Sequence, residues 1–140
     1  MSSITTHVTG VKELMAKLEK LSDAAKGKAL ETSVKAGAYV VEAEAKINIE
    51  KKDIVDTGNL LNSIQVKDVK SSGDIAEASI GTNVVYAARQ EFGFVGTDSL
   101  GRVYNQPARP YLRPAIDENH DKINDAVKEN LKIEINKAIK

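Results

Sequence analysis

The chain has no cysteine, so disulfides, thiol catalysis and cysteine-based metal sites are all excluded, and a reducing compartment fits. It has no charge excess either. Twenty basic residues balance twenty acidic ones, and no global field draws the protein to nucleic acid or an anionic membrane. Long apolar runs are missing: nowhere do about 20 such residues follow one another, as a membrane-spanning helix requires. The opening MSSITTHVTG has no basic n-region and no apolar h-region, and no secretory signal is expected. Phosphate-binding glycine loops and nucleophile elbows are absent. Proline is scarce, with three residues in 140, and all three fall in QPARPYLRPA, residues 106–115. The remaining composition, 41% hydrophobic and 29% charged, is that of one ordinary globular domain over residues 1–140.

Residues 4–9, ITTHVT, are β-branched and suit a short strand. Val11, Leu14, Met15, Leu18, Leu21 and Ala25 then share one helical face, and Gly27 is expected to end or bend that helix. A longer helix is expected over about 28–52. It carries two apolar stripes, one of Leu30, Val34, Ala38, Val41 and Ala45, the other of Ala36, Val40, Ala43 and Ile47. Such a helix packs on two sides, either as a central core helix or against its own domain and a neighbour. Gly37 would permit close approach of another element.

In DIVDTGNLLNSI, Asp56 or Thr57 suits the cap of a helical turn over Gly58–Leu61. Ile64 and Val66 alternate with Gln65 and Lys67, and Ala76, Ala78 and Ile80 alternate after a turn at 70–74. This is the pattern of an antiparallel hairpin covered by helices on one face. A short helix, VYAARQEF, is expected to start at Thr82 or Asn83 and end at Gly93. Residues 93–106 read as a flexible loop or a loose hairpin. The stripe Leu112, Ile116, Ile123, Val127, Leu131, Ile135 and Ile139 reads as one terminal helix, with Pro114 in its first turn. The expected fold class is α+β: long N-terminal and C-terminal amphipathic helices packed on a small antiparallel sheet.

The unusual chemistry is concentrated. All four arginines, Arg89, Arg102, Arg109 and Arg113, lie between residues 89 and 113, and all sixteen lysines lie outside that window. Five of six aromatics, Tyr86, Phe92, Phe94, Tyr104 and Tyr111, fall between 86 and 111. Arginine and aromatic residues are enriched, and lysine depleted, where proteins touch proteins. Proline keeps a segment extended and lowers the entropy lost on docking. These features make Arg89, Glu91, Phe92, Arg102, Tyr104, Arg109, Tyr111 and Arg113 the candidate partner-binding residues. Asp56, Thr57, Gly58, Gly93, Pro110 and Pro114 are the candidate structural ones. A plainer reading has Tyr111 and Leu112 closing the core, with Arg109 and Arg113 paired to Glu91 or Asp117.

Catalytic readings fare worse. DTG at 56–58 matches the triplet of retroviral-type aspartic proteases, which are built almost wholly of strands; here it lies between a helix and a hairpin, and a capping turn accounts for it. His7 and His120 are far apart, and ENHD at 118–121 lacks the helical spacing of a zinc site. No enzyme activity, cofactor or metal is expected. Nucleic-acid binding through the Arg/aromatic cluster 86–113 is the alternative class, with Glu91 and Asp98 in that region counting against it.

The order of motifs resembles the gene-product-ten-like family of tailed bacteriophages and prophages, the head–tail joining or tail-completion proteins. The resemblance spans roughly residues 10–138. It rests on Asp56, Thr57, Gly58, Leu60, Ser63 and Ile64; on Tyr86, Ala87, Glu91, Phe92 and Gly93; and on Pro107, Arg109, Pro110, Tyr111, Leu112, Arg113, Pro114 and Ala115. Tyr111 stands where the family often has phenylalanine. The resemblance implies a structural virion protein, assembled in the host bacterial cytoplasm and placed at the head–tail junction. Its implied partners are other connector and tail proteins, and copies of itself in a ring. The free subunit is expected to be monomeric, with no membrane and no sequence-specific nucleic acid among its partners. Another phage connector, such as a tail terminator, is the neighbouring alternative.

Overall fold

A computed structural model describes residues 11–52, 57–82, 84, 87–97 and 99–139. The expected strand at 4–9 with His7, and also Asp56, Asn83, Tyr86 and Asp98, lie outside the described residues. Among the described residues, no helix is long and apolar enough to cross a membrane. The fold is α+β, as the sequence patterns predict.

The spine is helix α2, Asp23–Lys51, preceded by the short α1, Lys12–Leu18. The expected break at Gly27 falls earlier. The Ser22 side chain accepts the Ala25 N–H at 3.2 Å and caps α2, with Asp23 in its first turn. Gly27 is an interior helical residue whose added Cβ would stand 3.4 Å from Ser71 Oγ.

One side of α2 carries the hairpin of β1, Gln65–Ser72, and β2, Ile75–Gly81. The turn is tighter than expected, with Gly73 at φ 60°. Pairing runs Val66↔Ile80 and then Val69↔Ala78, so β1 holds one extra residue. That bulge keeps Val66 and Val69 half-buried on the helix side. Polar contacts fix the register: the Val66 N–H donates to Glu42 at 3.2 Å, Ser71 Oγ donates to Glu31 at 3.0 Å, and Lys26 joins Glu19 and Asp74.

The other side of α2 carries α6, His120–Ala138, running antiparallel to it. Ser33 Oγ meets Asn130 at 3.4 Å near one end, and Lys122 meets Glu44 at 2.9 Å near the other. The expected single terminal helix is two, α5 over Leu112–Asp117 and then α6. Asn119 causes the break. Its side-chain amide donates to the Ala115 carbonyl at 3.0 Å, offering the backbone a local alternative to the helical ladder. The apolar stripe survives, because Ile116 and Ile123 enter the same core as Val41, Ala45 and Ile49.

Helix α3, Thr57–Ser63, sends Leu60 into that core, and the following Ile64 joins it. Ser63 Oγ donates to the Leu60 carbonyl at 2.7 Å and pairs with the Thr82 hydroxyl, tying α3 to the end of β2. A second core, of Leu18, Ala29, Leu30, Leu131 and Ile135, lies where α1, the start of α2 and the end of α6 meet.

Candidate functional site

Helix α4, Ala87–Phe92, ends at Gly93, whose φ of 81° suits glycine and whose N–H donates to the Arg89 carbonyl at 2.8 Å. Two short strands follow, β3 over Phe94–Thr97 and β4 over Val103–Gln106, and pair as an antiparallel hairpin, Phe94↔Gln106 through Thr97↔Val103. The chain then returns past α4 as an extended strap, 107–110, into α5.

The strap is pinned from Arg109 onward. The Arg109 N–H donates to the Gln90 carbonyl at 2.6 Å. Lys52, at the end of α2, donates to the Pro110 carbonyl, and Asn48 Nδ2 donates to the Tyr111 carbonyl at 3.1 Å. Tyr111 is fully buried, and its hydroxyl donates to the Ala87 carbonyl at 3.2 Å. The plainer reading of Tyr111 and Leu112 therefore describes their place: both belong to the main core.

Glu91 is the residue whose place differs most from the expectation. It is buried, and its carboxylate points inward to the start of α5. One oxygen accepts the N–H groups of Tyr111 at 3.1 Å and Leu112 at 2.8 Å, and the other accepts that of Arg113 at 3.4 Å. Tyr111, at the cap position, makes no side-chain cap of its own. The next residue is Pro114, which has no N–H to satisfy. One distant carboxylate and one proline thus settle the four orphan donors of a helix start. Glu91 and Tyr111 are buried in this arrangement and hold the strap in place.

Arg89, Phe92, Arg102, Arg109 and Arg113 are exposed. The Arg89 guanidinium lies 4.0 Å over the Phe94 ring, which joins α4 to the base of the hairpin. Arg113 faces Asp117 at 3.9 Å with both side chains in solvent, a contact worth little in stability. Arg102 stands at the far end of the hairpin beside its turn, and Tyr104 lies in β4. The structure brings Arg89, Phe92, Arg109 and Arg113 to one region and sets Arg102 apart from them.

The sequence reading missed apolar exposure on the hairpin. Val95, Leu100 and Val103 are each more than three-quarters exposed. On α2, Tyr39 and Ile47 are exposed as well, beside the half-buried Ala36 and Val40. Of the second stripe, Ala43 and Ile47 are exposed, whereas Val40 packs against the main core. Among the described residues, no group of three His, Asp or Glu side chains could hold a metal ion.

Burial pushes the Tyr111 hydroxyl up to about 12, and the neighbouring Glu91 carboxylate acts in the same direction. The unfolded tyrosine ionises near 10, so between pH 10 and 12 the unfolded chain releases a proton that the folded one retains. Stability contributed by the neutral hydroxyl is present below pH 10 and falls by about 1.4 kcal/mol per unit above it. Urea unfolding of wild type against Tyr111→Phe will show the difference between them shifting by about 2 kcal/mol from pH 9 to pH 12. A constant difference across that range would contradict the assignment.

Residues 12–93 match the model of one protein family, described as "Bacteriophage HK97-gp10, putative tail-component". No curated protein and no solved structure gives a significant match.

Proposed function

We propose, from the premise that this chain belongs to the HK97-gp10-like family of bacteriophage tail components, that it completes the tail and joins it to the head at the neck, acting through protein–protein contacts. The observation that carries the reading is the pinned strap. Backbone and side-chain bonds from Gln90, Glu91, Asn48 and Lys52 order residues 109–113 before any partner arrives. Arg109 and Arg113 project from it, with Arg89 and Phe92 beside them, so little further entropy is lost when they dock. Guanidinium groups suit carboxylate partners, which they bind with two parallel bonds.

A ring of copies needs two different, complementary surfaces on each subunit. The exposed face of α2 with Tyr39, Ala43 and Ile47, and the region of the strap with the apolar hairpin, supply two such faces. The neutral overall charge suits repeated contact between identical subunits. The partners in this reading are connector and tail proteins, and the place is the virion neck.

In a phage carrying this gene, Arg89→Ala, Arg109→Ala and Arg113→Ala together will leave heads and tails unjoined. Interface anchors of this type contribute about 2 kcal/mol each, about 30-fold in affinity apiece. Electron microscopy and plaque titre check this, with thermal melting to show that the subunit still folds. Normal joined particles from a folded triple variant would end the proposal.

A further inference from the structure

Four of the lysines gather at a place apart from the arginine strap. The arginine strap sits at the C-terminal end of α2, beside Asn48 and Lys52. At the other end of that helix, against the Leu18, Leu30 and Ile135 core, a groove of about 680 Å³ opens between α1 and α6. Lys12 and Lys17 line it from α1, and Lys128 and Lys132 from the facing turns of α6. Among the described residues, Glu13 is the only carboxylate in the lining, beside Leu14, Ile135 and the Asn136 amide. Among the described residues, no salt bridge engages any of these four lysines.

Four ammonium groups against one carboxylate, in a chain of zero net charge, make a local positive field. We infer that this groove binds the phosphodiester backbone of nucleic acid, without regard to sequence. The residue types decide between a polyanion of this kind and an acidic protein segment. Protein interfaces are depleted of lysine and anchored by arginine and aromatic side chains, and the groove contains neither anchor. Lysine acts on phosphate as a flexible, hydrated point charge and needs no fixed geometry to do so. With no aromatic side chain for a base to stack on, contact is confined to the backbone. The inference does not rest on the assembly reading, and the arginine substitutions that test that reading leave it untouched.

The test is fluorescence anisotropy with a labelled random-sequence duplex DNA, titrated from 50 to 200 mM salt. If all four lysines neutralise phosphates, the logarithm of affinity falls against that of salt with a slope near −3.6, a loss of roughly 100-fold over this range. Lys12→Gln, Lys17→Gln, Lys128→Gln and Lys132→Gln together remove the binding, and each helix's pair alone halves the slope. The pairs decide the matter if the quadruple variant does not fold. Replacement of all four arginines by alanine leaves the slope unchanged. The inference is overturned if the wild type does not bind at 50 mM salt, or if the lysine variants bind as it does. It is also overturned if the arginine variant alone loses binding. Competition by poly-glutamate as effective as that by DNA of equal charge would assign the groove to an acidic protein segment instead.

Discussion

Glu91→Ala will lower the stability of the subunit by about 3 kcal/mol, a large share of what a domain of this size possesses. The reason is in the geometry. Three backbone N–H groups at the start of α5 donate to one buried carboxylate. Hydrogen bonds to a charged group contribute about 1.5–3 kcal/mol, and donors left buried without a partner cost about 1–3 kcal/mol more. Alanine removes the acceptor, and water has poor access to a site lined by Tyr111, Leu112 and Ala115, all buried. Some relaxation of the strap offsets part of the loss, which keeps the figure near the low end of the sum. Glu91→Gln retains an acceptor oxygen but turns an amide NH₂ toward the remaining donors, so roughly half the loss is expected. Chemical unfolding measures both. The structural consequence is equally specific: with α5 released, Arg109 and Arg113 lose their fixed positions. Glu91→Ala should therefore impair particle joining although its own carboxylate touches no partner. A variant as stable as wild type would show that α5 is capped in some other way.

What could be read from the sequence, and what could not, divides along the range of the interactions. Periodic burial is local. The first stripe of α2 shows it directly, with Leu30, Ala38, Val41 and Ala45 all buried. The alternation of Ala76, Ala78 and Ile80 likewise marks the half-buried face of β2. Boundaries are less legible, because two signals compete. Ser22 and Gly27 could each punctuate a helix, and the Ser22 cap prevails. In α5 and α6 the apolar stripe keeps its phase across Asn119, so periodicity alone cannot register the break. The segment 93–106 reads equally as a loop or a loose hairpin, because the strands Phe94–Thr97 and Val103–Gln106 are four residues each, too short for a period-2 pattern to stand out. Its valines illustrate a further limit, since a β-branched residue facing solvent looks the same in sequence as one facing a core. Glu91 is the deepest case. Its partners lie 20 to 22 residues onward, and only the fold brings them together. The one available signal was a helix start at Leu112 with no capping side chain beside it.

Gly37 shows how a reading from sequence becomes a measurable quantity. It lies in the face of α2 that meets α6, the most extensive helix–helix contact in the subunit. A Cβ added there would stand 2.7 Å from Val127 Cγ2 and 3.4 Å from Ile123 Cγ2. Gly37→Ala therefore sets two effects against each other. The gain in helix propensity is about 1 kcal/mol, and the strain of overpacking is about 1–3 kcal/mol. A net loss of about 1 kcal/mol follows, since Val127 is short and branched and has little freedom to turn aside. Gly37→Val adds two further methyl groups to the same contact, forces α6 away, and is expected to lose about 3 kcal/mol. The pairing can be isolated. Val127→Ala alone leaves a small void and destabilises modestly. Combined with Gly37→Ala, it removes the group that the new Cβ would strike, so the double variant should be more stable than the single effects predict by about 1 kcal/mol or more. Urea unfolding of the four proteins gives that coupling directly. Strict additivity would mean that α2 and α6 do not meet at this glycine. The packing on which both cores rest, and with them the separation of the arginine strap from the lysine groove, would then have to be drawn differently.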